Sequence, residues 1–222
     1  MQYNFEVKLG TLNSFDKKFS STDIAILLNK AQDQLINERY SSKVGSSRHF
    51  EMDEKTRVEL GKLISNSNIT SFSTGVSNIQ AEAMFANLPG DYLYSITEKC
   101  VLSYVDANGD TISTVAKVFP VTHDEYLMNI NNEFNKPYRK LVWRMDIAGD
   151  STNNKKHELI YGIGCTITSY QLRYLKRPAA INIVTGVDCE LHVGLHEEII
   201  DMAVLMGQVI LTQKSPIKTQ EQ

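Results

Sequence analysis

Cys189, His192 and His196 fall at Cys-x2-His-x3-His spacing, which offers a thiolate and two imidazoles of the kind that ligate zinc. A closed structural site needs a fourth ligand, for which Glu197 or Glu198 would have to serve, and such sites draw their ligand pairs from two separated elements. The same residues fit a helix start, with Glu197 and Glu198 in the first turn against the positive end of the dipole. That second reading is preferred. His123, Asp124 and Glu125 are acid and base types side by side, but neighbours on a helix point in different directions and form no relay. The short Gly162-Ile-Gly164 lacks the third glycine of a dinucleotide fingerprint. No Gly-x-Ser-x-Gly, His-Glu-x-x-His or phosphate-binding loop is present. No catalytic, cofactor-binding or metal-binding residue is assigned, and the chain reads as a non-enzyme.

Two patterns suggest contacts rather than catalysis. From Ile167 to Arg177 the residues alternate, with Ile167, Ser169, Gln171, Arg173, Leu175 and Arg177 on one face of an expected strand. Thr168, Tyr170, Leu172, Tyr174 and Lys176 occupy the other. Arg173, Lys176 and Arg177, just before Pro178, form a small basic cluster that suits a partner's carboxylates or DNA phosphates, and with a net charge of −3 the protein contact is preferred. Further on, Ile199, Ile200, Met202, Met206 and Ile210 lie among apolar residues that cover nearly the whole circumference of a helix. A terminal helix usually covers one face of a sheet, so these five are the candidate contacts with a neighbouring subunit.

The elements that must position these residues follow from periodicity. A chain of 222 residues, 42% hydrophobic, can bury a sizeable core. Its 23 basic and 26 acidic residues, net charge −3, do not demand a polyanionic partner. Three dispersed cysteines, Cys100, Cys165 and Cys189, suggest unpaired thiols in a reducing compartment. The first residues carry no secretory pattern and no apolar run reaches the roughly 20 residues of a membrane span, so a soluble chain without membrane contact is expected.

Ile24, Leu27, Leu28, Ala31 and Leu35 share one face of a helix expected over Asp23–Arg39, after candidate caps at Ser20 to Asp23. A Ser/Gly-rich loop, Ser41 to Ser47, precedes a second helical pattern with Thr56, Leu60, Leu63 and Ile64 on one face, and the two helices suggest a hairpin. Ser65 to Asn78 reads as a polar linker. From Leu88 the period becomes that of strands: Tyr92 to Tyr104, an Asn-Gly turn at Asp106–Asp110, then Ile112–Phe119. A short helix is expected from His123 to Asn131. Strands follow at Lys140–Ile147, His157–Ile163 and Cys165–Leu175, with a polar turn at Gly149–Lys156 between the first two. The fold class is thus α+β: an N-terminal helical hairpin (1–75), a central antiparallel β-sandwich or partial barrel (76–194), a C-terminal packing helix (195–213) and a loose tail (214–222).

The order of features also carries a resemblance. Leu27, Leu28 and Asn29 are followed by Ala31 and Gln32, then Phe50 and Glu51, then Leu88, Pro89, Asp91 and Tyr92 at the opening of the strands. Near the C-terminus come Tyr174 to Pro178, Cys189 to Leu191, His196 to Asp201, and Ala203 with Val204. In this order the chain resembles the ring, or neck and tail-adaptor, structural proteins of crAss-like and related Bacteroides bacteriophages. The resemblance implies a virion subunit that forms a ring in the head-to-tail connector, below the portal, and lines the genome passage. It also implies self-association, twelvefold as in related connectors, with portal and adjacent ring or tail proteins as partners, non-specific DNA contact, and assembly in the host cytoplasm. No cofactor is implied. The alternatives from different classes are a monomeric cytoplasmic β-domain that binds a ligand or peptide and, third, a metal-dependent hydrolase using His192 and His196.

Overall fold

The computed structural model describes residues 1–12, 19–41, 54–75, 81–132, 134–148 and 155–213. Most of the expected Ser41–Ser47 loop, the 149–154 part of the expected turn and the tail 214–222 lie outside the described residues. The chain divides into two compact units, Met1–Leu63 with Pro178–Gln222, and Ile64–Arg177. Among the described residues no helix is long and apolar enough to cross a membrane.

The first unit is helical: α1 (Gln2–Leu12), α2 (Ser21–Ser41), α3 (Glu54–Leu60) and α5 (His196–Gln213). Helix α2 starts where its cap demands. Ser20 Oγ accepts from the Asp23 amide at 3.1 Å while Asp23 Oδ2 accepts from the Ser20 amide at 3.2 Å, a reciprocal capping box. Its periodic face of Ile24, Leu27, Leu28, Ala31 and Leu35 is buried, as its spacing predicts. Arg39 joins three helices, with Nε donating to Glu59 at 3.1 Å and Nη2 to both oxygens of Glu198 at 2.9 and 2.6 Å. Asn29 anchors the returning chain. Its amide donates to the Ile181 carbonyl at 2.9 Å and its carbonyl oxygen accepts from the Ile181 amide at 2.7 Å, imitating a strand ladder. Helix α1, with Phe5 fully buried, has no counterpart in the expectations from sequence.

The second unit is one open, curled sheet of eight strands: β1 (Ile64–Ile69), β2 (Phe72–Thr74), β3 (Glu82–Asn87), β4 (Tyr92–Val105), β5 (Thr111–Pro120), β6 (Leu141–Ile147), β7 (Lys156–Tyr161) and β8 (Cys165–Lys176). The order is β1-β8-β4-β5-β6-β7-β3-β2. All pairs are antiparallel except β5 and β6, which run parallel because the crossover through α4 (His123–Asn129) carries the chain back to the same end. The Asn-Gly turn forms as expected: Asp106 Oδ1 accepts from the amides of Asn108 and Asp110, and Gly109 takes φ 89°. Those amide bonds hold the Asp106 carboxyl below the ordinary carboxylate range.

Three expectations are corrected here. Ser65 to Asn78 contains strands β1 and β2 rather than a linker alone; β1 is a sheet edge whose Asn66 and Asn68 side chains face outward, with Ser65 and Ser67 half-buried on the other face, while its backbone pairs with β8. Ile64 accordingly opens β1 opposite Leu175 instead of extending the second helix. The alternation along β8 does not run unbroken, because Ser169 faces Val101 while Ile167 faces Leu102, leaving Thr168 as a bulge. The extra residue shifts the phase by one, so Ile167 joins Tyr170, Leu172 and Tyr174 in the core instead of sharing the face of Gln171 and Arg173.

Candidate assembly surfaces

Helix α5 is buried on one side and open on the other. Ile199 and Ile200 are fully covered by the chain's own helical unit, together with Ala203, Val204 and Leu211. Gly207 lies on that covered side, where an added Cβ would meet Phe19, Leu27 and Phe5 at 3.5–3.6 Å. Met202, Met206 and Ile210 are half-buried. Leu205 and Val209 are 61% and 54% exposed and were not singled out from sequence. Together with Met202 and Met206 they form an i, i+3, i+4, i+7 stripe that its own unit leaves uncovered. The all-round apolar pattern is therefore split between a core face and an open face.

The zinc-like triad is dispersed among separate partners. Cys189 Sγ donates to Gln32 at 3.1 Å, His192 Nδ1 accepts from the Gly194 amide at 3.1 Å, and His196 Nε2 lies 3.2 Å from the Leu191 carbonyl. Among the described residues no group of three or more His, Cys, Asp or Glu side chains is arranged to hold a metal. Glu197 and Glu198 occupy the first turn of α5. His123 and Asp124 lie in the exposed first turn of α4, where Glu125 completes a capping box with Thr122. Gly162 and Gly164 form the turn between β7 and β8, with Gly164 at φ 77°.

The basic cluster at the end of β8 is only partly brought together. Arg173 is exposed and its Nε donates to Asn66 at 3.0 Å. Lys176 lies opposite Tyr92 on the other face of the strand, and Arg177 lies past the strand's end, its amide donating to the Asp91 carbonyl at 2.6 Å. Arg173 instead shares its face with Lys99 on β4 and Lys117 on β5. The signal was available: once the Asp106–Asp110 turn is recognised, its register pairs residue 99 with residue 117.

A buried polar cluster inside the curled sheet was not anticipated. The Tyr170 hydroxyl donates to Glu98 at 2.9 Å and sits 2.8 Å from His157 Nδ1. Arg144 Nη1 donates to Ser95 at 3.0 Å and lies 3.3 Å from Glu98 and 3.2 Å from Asp146. His157 Nε2 is 3.0 Å from Asp146. Burial, then the neighbouring Glu98, push the Tyr170 hydroxyl far above its ordinary range. The hydrogen bond from His157, with Arg144 nearby, holds Asp146 below the usual carboxylate range. Because three strands, β4, β5 and β6, lie between β7 and β8 in the sheet order, the His157–Tyr170 contact is made across the curl. The cluster is a clamp that runs from the apolar core of Cys100, Leu102, Val142, Leu159 and Leu172 to the surface at Asp146, whose side chain is 72% exposed.

Comparison with known proteins assigns the chain. It is 26% identical over 215 residues to "Ring protein 4/5" of Bacteroides phage crAss001, covering 89% of this chain and 82% of that protein. It is 26% identical over 217 residues to "Ring protein 3" of the same phage, covering 91% and 87%. Both relatives are ring proteins by name. With the family described as phage tail ring protein 3/4 matching residues 2–219, nearly end to end, the chain belongs to that family of crAss-like phage ring proteins.

Proposed function

We propose that this chain is a virion subunit that repeats about an axis to close a ring in the head-to-tail connector, below the portal, with the genome passing through its opening. The observation that carries the self-association is the open stripe of α5, where Leu205 and Val209 stand exposed on a helix otherwise packed into its own unit. A ring closes through heterologous contacts, which need two different patches on each copy. The second patch is the segment around α4, where Leu127, Met128, Phe134 and Tyr138 are 68%, 78%, 96% and 55% exposed. Of the five residues first taken as interface, Met202, Met206 and Ile210 border the open stripe, whereas Ile199 and Ile200 support it from within. The ring is taken as twelvefold, with portal and adjacent ring or tail proteins above and below, and assembly in the host cytoplasm.

The competing reading, a monomeric β-domain with an internal ligand, finds no support in the sheet interior, which is packed by its own side chains. Light scattering on the parent chain and on Leu205→Glu/Val209→Glu, alone and mixed with the portal and neighbouring ring proteins, tests the proposal. The parent assembles and the variant stays a folded 25.1 kDa subunit. Equal assembly of both removes α5 from the interface.

A further inference from the structure

The outward face of β1, β8, β4 and β5 carries cations and no carboxylate. Register places Lys117 opposite Lys99, Lys99 opposite Gln171, and Thr97 opposite Arg173, which in turn faces Asn66. The remaining outward positions of these strands are Asn, Ser, Thr and Val, with Phe119 at the far end of β5 and Ile64, Leu175 and Tyr94 in register at the opposite end. Among the described residues no acidic side chain pairs with Lys99, Lys117 or Arg173. Two like charges directly opposite each other on a ladder destabilise the sheet, so folding alone gives no reason for the Lys99–Lys117 pair. Beside it, over the buried Leu172, lies a groove of about 470 Å³ whose polar lining includes Asn66, Asn68, Thr97, Lys99, Gln171 and Arg173. Every one of these is a hydrogen-bond donor of the kinds that contact phosphate oxygens, and none is an aromatic ring on which a base would stack.

We infer that this face is a sequence-blind phosphodiester surface that touches duplex DNA, resting on the proposed ring through which a genome passes. Leu172, the apolar residue lining the groove, is only 1% exposed, so the groove offers a protein partner little of the aromatic or aliphatic anchor surface that dominates protein–protein contacts. Three cations per copy make a weak contact on one subunit and a belt once repeated around an axis, loose enough for a duplex to slide. Lys99 and Lys117 replace Lys176 and Arg177 as the companions of Arg173 in this role.

The test uses the full chain and a fluorescent 30-base-pair duplex in anisotropy titrations at 50 and 200 mM salt. Neutralising three phosphates gives a log–log salt slope of about −2.7, hence about 40-fold weaker binding across that range. Lys99→Gln/Lys117→Gln/Arg173→Gln is expected to lose most of the affinity and nearly all of the slope, equally on two unrelated sequences. It should melt at or above the parent temperature, because a like-charge pair has been removed. A control with Lys30, Lys136 and Lys140 changed to Gln removes equal charge elsewhere and should bind as the parent does. No binding by a chain that still forms rings overturns the DNA contact alone, as does equal loss in both triple variants. A triple variant that binds duplex normally but no longer assembles makes the face a protein contact and also overturns it. DNA binding by a chain that never assembles, even with its neighbours, would instead refute the ring.

Discussion

Replacing Arg144 by Met probes the buried clamp most sharply. The arginine is 9% exposed and serves Ser95, Glu98 and Asp146, so among the described residues the substitution leaves Glu98 inside the curl with the Tyr170 hydroxyl as its remaining partner. Breaking a buried pair by removing one member costs about 3–5 kcal/mol, since the remaining charge stays desolvated or must take up a proton. For a chain of this length about 2–4 °C is lost per kcal/mol, a fall in Tm of roughly 6–20 °C. Trp143 is the only tryptophan, is 4% exposed and neighbours Arg144 on β6, so its emission reports unfolding of the sheet unit itself. Arg144 Nε has no hydrogen-bond partner among the described residues, which means the arginine's desolvation is incompletely offset. The double variant Glu98→Met/Arg144→Met should therefore recover most of the loss, because an apolar replacement of both partners is often neutral or stabilising. A single variant melting within 2 °C of the parent, or a double variant whose loss equals the sum of the singles, would refute the reasoning.

Further outcomes follow from the same geometry. Asp146 titrates below its unfolded value of about 3.9. Its contribution to stability is thus present above that pH and lost as pH falls through the lower folded value, and Asp146→Asn should flatten acid unfolding there, measured by Trp143 emission. Gly207→Ala places a methyl at ordinary contact distance from Phe19, Leu27 and Phe5 in a helix interior, so a gain of about 0.5–1 kcal/mol is expected in urea melts, and a lower midpoint would mean a clash. Burial, and to a lesser degree Glu98, push the Cys100 thiol well above its ordinary value, so native protein at pH 8 should leave Cys100 unalkylated by iodoacetamide, as peptide mass mapping would show.

Local signals were the legible part of the sequence. The apolar spacing of α2, the Asn-Gly turn and the long strands each rest on neighbours in sequence, and each appears where periodicity places it. The edge strand β1 was unreadable because its alternation is Ser and Asn against a partner a hundred residues away. The bulge at Thr168 was hidden for a similar reason, since one extra residue on β8 is visible only against β4. The polar clamp joins Glu98, Arg144, His157 and Tyr170 from four strands, and no spacing rule links them. For α5 the composition showed that all sides are apolar, but only the packing of α1 and α2 shows which side is left open.

The central claim is that identical copies close into a ring through the open stripe of α5. The direct measurement is a cryo-electron-microscopy map of the phage that carries this chain, resolved well enough to place α5 in every copy. A closed ring around the genome passage, with Leu205 and Val209 buried against the neighbouring copy, is the expected result. A map in which those two side chains face solvent, or in which the chain occurs outside any ring, would contradict it.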